Sequence, residues 1–154
     1  MYEFIDANGK PLALIFKKDA FFIKARHVLV ICRFQGKWLL TDHKLRGLEF
    51  PGGKVELNEK IEDAARREVY EETGGIVQTL DYLGEYCVDN QFVKALMLAE
   101  VGQLEELPDY METNGPVLKA GNLLEELDRP EYSFIMKDQV VPMALRKILD
   151  ETAS

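Results

Sequence analysis

Glu68, Glu71 and Glu72 stand three and four positions apart within Gly53–Gly74, GKVELNEKIEDAARREVYEETG. The pattern predicts a helix over about Glu59 to Thr73, with Asn58 capping its first turn and Gly74 taking the left-handed position after its last. At the α-helical period Ile61, Ala64, Ala65 and Val69 form one apolar stripe that must face a core. Glu68 and Glu72 fall within about 20° of the centre of that stripe, and Glu71 falls at its edge. Glu59, Asp63, Arg66 and Tyr70 occupy the other side. Acids on a helix ordinarily make a solvated face, but these continue the face that turns inward. Partly buried carboxylates at this spacing must take up protons, destabilise the helix or meet a cation. An all-oxygen cluster suits a hard divalent ion, Mg²⁺ or Mn²⁺, whereas zinc favours His and Cys. The chain has only two His and two Cys, none of them on this helix.

Neighbouring residues give such an ion a task. Gly52-Gly53 lets backbone approach closely, so a carbonyl there can ligate the metal or touch substrate. Lys54 offers an ammonium suited to an anionic oxygen. Arg67 lies off the acidic stripe and is placed to pair with Glu71, Asp63 or Glu59, orienting the acids.

Elements able to hold this helix are legible on both sides of it. Tyr2 to Asp6 and Leu12 to Phe16 flank an Asn8-Gly9 turn and read as a hairpin. His27 to Phe34 (HVLVICRF) reads as a central strand, and Gln35-Gly36 turns it into Lys37 to Thr41. Pro51-Gly52-Gly53 reads as loop. Further strands are expected at Leu80 to Val88, Phe92 to Val101 and, after a Gly115-Pro116 turn, Val117 to Lys119. Residues 104–112 and 120–132 are ambiguous. A last helix runs from about Gln139 to Leu149, with Pro142 in its first turn and Val141, Leu145, Ile148 and Leu149 on one face. Strands before and after a central helix, without regular alternation, indicate an α+β fold with a mixed sheet.

At 154 residues the chain reads as one domain, 1–154, able to bury a core without disulfide or metal staples. Cys32 and Cys87 lie in apolar strand contexts and read as reduced core residues. Neither a secretory segment nor a membrane span is visible, so a cytoplasmic protein is expected. The net charge of −8 argues against a broad grip on duplex nucleic acid or anionic membrane. It does not bear on a small anion held through a metal.

Gly53 to Gly75 resembles the Nudix box, GX5EX7REUXEEXGU, of the Nudix hydrolase superfamily. Gly53, Glu59, Arg67, Glu68, Glu71, Glu72 and Gly74 fill its fixed positions, and Val69 fits the first apolar one. Seven such matches arise by chance about once in 10⁸ starting points at ordinary residue frequencies. Gly75 departs from the bulky apolar residue of the pattern; Ile76 follows it, and a shifted packing contact with intact chemistry is expected. LEFPGGK, Leu48 to Lys54, is similar to MutT-like members acting on purine nucleoside triphosphates, and His43 stands seven residues before Phe50 as in that branch. The whole chain, including SFIMKD at Ser133 to Asp138, looks most like the YtkD group.

The resemblance implies an α/β/α sandwich and Mg²⁺-assisted attack of water on a nucleoside phosphoric anhydride. It implies Glu68 and Glu72 as the main metal ligands, with Glu71 a further ligand or an acid behind them. The Gly52 carbonyl completes the inner sphere, and Glu112, ahead of Glu100, is the ligand expected outside the box. Glu68 doubles as a candidate base, and Arg67 and Glu59 support it. His43, Arg46 and Lys54 are candidates for phosphate; His43 reads equally as a surface loop residue. Phe50, Tyr86 and Phe134 are candidates for base stacking, with core packing the alternative for each. Asp138 reads a purine edge or caps the last helix.

The substrates implied are 8-oxo-dGTP or dGTP, cleaved to monophosphate and pyrophosphate, or an RNA 5′ end that loses pyrophosphate. Arg26, Arg33, Lys44 and Arg46 could form a local basic rim for the longer substrate. A silent nucleotide-binding regulator is disfavoured because every acid of the box is present. ADP-ribose pyrophosphatases usually carry a Pro about fifteen residues after the box, and none occurs between Gly75 and Leu107. No stable protein partner is implied.

Overall fold

The β-branched run of the central strand is sandwiched on both faces, as its continuous hydrophobicity requires. A computed structural model describes residues 1–6 and 8–153. Its elements are β1 (Tyr2–Ile5), β2 (Pro11–Ile15), β3 (Ala25–Phe34), β4 (Lys37–His43), β5 (Gly47–Glu49), β6 (Gly52–Lys54), α1 (Ile61–Thr73), β7 (Gly75–Val88), β8 (Phe92–Leu104), β9 (Thr113–Lys119) and α2 (Val140–Ala153). Short 3-10 turns occupy Leu123–Glu125 and Phe134–Met136.

The strands form one mixed sheet in the order β1-β2-β7-β8-β3-β4-β5, with β6 on β3 and β9 on β4. Among the described residues the β3–β8 pair is the only parallel pair of strands. Val28, Val30, Cys32, Ala95, Met97 and Ala99 point to one face and bury Ala64, Ala65 and Val69 of α1. Leu29, Ile31, Leu40, Leu96 and Leu98 point to the other and pack on Val141, Ala144, Leu145 and Ile148 of α2. The result is the expected α/β/α sandwich. Cys32 and Cys87 are buried free thiols.

Around the future site the sheet forks. One edge of β3 pairs with β4 through Cys32–Phe34 and with β6 through His27–Leu29. One chain therefore leaves the β4–β5 hairpin at Glu49, passes Phe50-Pro51 and returns against β3. The Val30 N–H donates to the Pro51 carbonyl at 2.8 Å and pins that passage.

Several expectations need correction. Pro51-Gly52-Gly53 is not simply loop, since Gly52 and Gly53 belong to β6, a strand too short for periodicity to reveal. Gly115-Pro116 is not a turn before a strand but lies within β9; Gly115 at φ 103 sits where the β4–β9 register shifts. Asn58 does not cap α1: it sits at φ 63, and Lys60 is the N-cap without a side-chain bond. Gly74, at φ 77, does close the helix, and its N–H donates to the Tyr70 carbonyl. Ile76 is exposed, and Val77 turns inward instead, because the strand already starts at Gly75. The place a Gly75 side chain would fill is taken by Val69, Thr73 and Val101. Leu149 is exposed although its helical neighbours Leu145 and Ile148 are buried.

Candidate active site

α1 carries its acids to β6, the thinnest part of the sheet. Glu72 is buried, and its Oε1 accepts the Gly52 N–H at 3.0 Å. Its backbone carbonyl accepts the hydroxyls of Thr41 (3.0 Å) and Thr113 (3.3 Å), which fixes the end of the helix against β4 and β9. Glu68 is partly buried beneath Gly53; a Cβ there would stand 2.5 Å from Glu68 Oε1. Burial pushes the Glu72 carboxyl up to about 8, with the nearby Glu68 and Glu49 adding to the Gly52-opposed rise. Burial also raises Glu68, against the pull of Arg67. The neighbouring Glu68 thus adds to what burial does at Glu72, and the pair is unfavourable for two negative charges without a cation.

Arg67 organises the outer acids. Its Nε and Nη2 donate to Glu59 at 2.7 and 2.9 Å, and its Nη1 donates to Glu68 at 2.9 Å and Glu71 at 3.3 Å. Nη2 also donates to the Lys54 carbonyl at 3.0 Å. Arg67 holds the Glu59 carboxyl below its ordinary range. Of its expected partners, Glu59 and Glu71 are engaged and Asp63 is not.

On the α2 side a cleft of about 390 Å³ opens onto Gly52 and Gly53. Arg46, Phe50, Tyr86, Phe134 and Asp138 all line it. Phe50 and Tyr86 are almost fully buried, so they form wall and floor, whereas Phe134 is exposed at the rim. Arg46 is bound through Nε and Nη2 to Glu49 at 2.9 and 2.8 Å. Asp138 caps α2, its Oδ1 accepting the Val140 N–H at 2.8 Å, and it also lines the cleft.

Residues 21–113 match the family described as NUDIX domain. The chain belongs to the Nudix family. It is 51% identical over 152 residues, 96% of either chain, to YtkD of Bacillus subtilis (strain 168), named "Putative 8-oxo-dGTP diphosphatase". The crystal structure of the Bacillus subtilis pyrophosphohydrolase BsRppH, as its E68A mutant, superposes with a TM-score of 0.91 at 47% identity, covering 98% of both chains. A MutT structure from a study of Aliivibrio salmonicida and Vibrio cholerae is more distant, with a TM-score of 0.55 at 27% identity over 75% of this chain and 91% of that one.

Nudix hydrolases generally use a divalent metal such as Mg²⁺. Among the described residues no three His, Cys, Asp or Glu side chains converge as a ready-made cage. Mg²⁺ asks for less, usually one or two carboxylates, with water and phosphate oxygens filling the rest. The desolvated Glu68–Glu72 pair beside the Gly52 backbone fits that demand.

Other expected site residues of this Nudix chain lie apart from the cleft lining. His43 is neither a free phosphate donor nor an exposed loop residue. It is buried at the β4–β5 turn, where Nδ1 accepts the Leu45 and Arg46 N–H groups at 3.1 and 3.2 Å. Its Nε2 faces Glu112, whose exposed carboxylate is 3.8 Å away. Glu100 is tied to Arg33 across the β3–β8 pair. Lys54 is exposed beside the box. Of the proposed basic rim, Arg33 and Arg46 are thus already paired, and Lys44 donates to the Met111 carbonyl. Sequence reasoning missed Glu49 and Lys94, which both line the cleft. The available signal for Lys94 was a lone cation in a largely apolar strand.

Asp138 makes a testable pH effect. Burial raises its carboxyl to about 6 from an ordinary 3.8, with Lys94 opposing. The folded state therefore holds this proton more tightly than the unfolded chain, and the stability it contributes below pH 4 is lost as pH rises through 6. Asn caps helices as well as Asp does. Asp138→Asn is expected to gain thermal stability over the parent between pH 4 and 7, with an effect on the order of 2 kcal/mol. Melting curves across that range check it; a constant offset would show that Asp138 is not the titrating group.

Proposed function

We propose that this single-domain protein is a Mg²⁺-dependent pyrophosphohydrolase of purine nucleoside triphosphates, of the 8-oxo-dGTP or dGTP type, releasing monophosphate and pyrophosphate in the cytoplasm. The observation that carries the reading is the junction at Gly52–Gly53, where an aromatic-walled cleft on one side of the sheet meets the buried acid pair on the other. Glu68, Glu72 and the Gly52 carbonyl would hold the metal, Mn²⁺ substituting, with Glu71 or Glu112 adding an oxygen. When bound, the metal neutralises phosphate charge and lowers the pKa of a coordinated water.

The chain's own groups do the rest. Glu68 accepts a proton from the attacking water, while Arg67, anchored by Glu59, keeps its carboxylate oriented. Glu71 is held by the same guanidinium. Phe50, Tyr86 and Phe134 enclose the base, Asp138 meets its edge, and Arg46 and Lys54 are the cations offered to the phosphates.

A second substrate, the triphosphorylated 5′ end of RNA, is favoured by the match to BsRppH along nearly the whole chain and by the exposed rim at Phe134. A phosphate-release panel with Mg²⁺ compares dGTP, 8-oxo-dGTP, ADP-ribose and 5′-triphosphorylated RNA. Turnover of the guanine triphosphates with little on ADP-ribose is expected. Background rates on all four would sink every enzymatic reading, and the ratio of free nucleotide to RNA ranks the remaining two.

A further inference from the structure

Lys94 is the one cation in the strand run FVKALMLAEV, Phe92 to Val101. Its register partners are Tyr86 on β7 and His27 on β3, so the three stand in a row on the α2 face of the sheet. Its Nζ lies 5.7 Å from the Tyr86 ring centroid. Among the described residues its side chain has no ion pair and no hydrogen bond. An ammonium in the wall of a cleft without an acceptor is costly, and the cost falls when a ligand oxygen arrives.

Asp138 faces the same cleft from the start of α2. One of its oxygens caps the helix, and the other has no protein donor among the described residues. Lys94 and Asp138 attract one another, yet they stand farther apart than the 4.0 Å of an ion pair. A cleft thus presents a donor and an acceptor that do not satisfy each other, above the buried Tyr86 and Phe50. Lys94 lies two strands from β6, about 9–10 Å across the sheet, which sets it a nucleoside's reach from the acids rather than beside them.

We propose that Lys94 and Asp138 together select a 6-oxopurine, the Lys94 ammonium donating to the O6 carbonyl and the Asp138 carboxylate accepting from N1–H and the 2-amino group. Adenine would turn an amino group toward the ammonium and an unprotonated nitrogen toward the carboxylate, two repulsions in place of two bonds. The inference deepens the proposed function and rests on it for the choice of a purine nucleotide, but binding tests it separately from turnover.

The experiment titrates the full chain and its Lys94→Met and Lys94→Arg variants with dGMP and with the 2-aminopurine deoxyribonucleoside monophosphate, which keeps the 2-amino group but lacks O6 and, with it, the N1–H. Calorimetry gives Kd, and turnover of the matching triphosphates is measured alongside. Lys94 should favour the guanine ligand by tenfold or more, as a charged hydrogen bond does. Lys94→Met is expected to lower that ratio by about tenfold, leaving the part that N1–H supplies at Asp138, and Lys94→Arg to restore some of the loss. Melting curves establish that each variant is folded. An equal loss on both ligands in Lys94→Met would assign Lys94 to phosphate or to structure and overturn the proposal. So would a parent protein that binds the two alike or binds neither. Discrimination in binding without turnover of any triphosphate would leave Lys94 as the reader and overturn the enzymatic reading alone.

Discussion

Glu68→Gln is expected to lower kcat by about 10²–10⁴-fold, the range for loss of a general base, with no loss of thermal stability. Stability is retained because burial already works against a charge at Glu68. Glutamine keeps the shape and an acceptor for Arg67 Nη1. Arg67 also keeps its two bonds to Glu59 and its bond to the Lys54 carbonyl. What the variant loses is a proton acceptor and an anionic oxygen for Mg²⁺. Turnover at saturating Mg²⁺ together with a melting curve checks both halves. Activity near that of the parent would remove Glu68 from the mechanism.

The acids were legible because one physical conflict exposes them: a carboxylate at the centre of an apolar helical stripe is out of place unless something compensates it. Glu72 fulfils that reading by being buried, and Glu71, at the stripe's edge, is less so. Arg67 was legible for the same reason, since it lies one residue from that stripe and has acids on both sides. The cleft was less legible. β5 and β6 are three residues each, too short for a period of two to register, and they position Glu49, Gly52 and Gly53. Glu49 therefore drew no reading, yet it is buried and holds Arg46 in a two-point pair. Lys94 lay on a correctly expected strand, but which face that strand turns to the cleft follows only from its register with β3 and β7. His43 was left open between two roles, and the turn it ties is neither of them. Such a bond depends on backbone N–H directions that a side-chain pattern does not carry.

Gly53→Ala separates the position of Glu68 from its chemistry. The backbone at Gly53 is not in the left-handed region, so alanine meets no conformational penalty there. Its new methyl would stand 2.5 Å from Glu68 Oε1 and 2.7 Å from Cδ. These atoms are the far end of a flexible side chain, so the carboxylate moves and the fold does not. A displacement of about 1 Å at a catalytic group costs about 10²-fold in rate. Gly53→Ala is therefore expected to lose activity on that scale with a melting temperature close to the parent's. Gly52→Ala meets instead the Val28 carbonyl on β3, backbone that cannot turn aside without breaking the β3–β6 pairing. It should lose stability as well as activity. Parallel melting curves and kcat values for the two variants distinguish the effects. A Gly53→Ala protein with parental kcat would mean that Glu68 need not stay where it stands beneath β6.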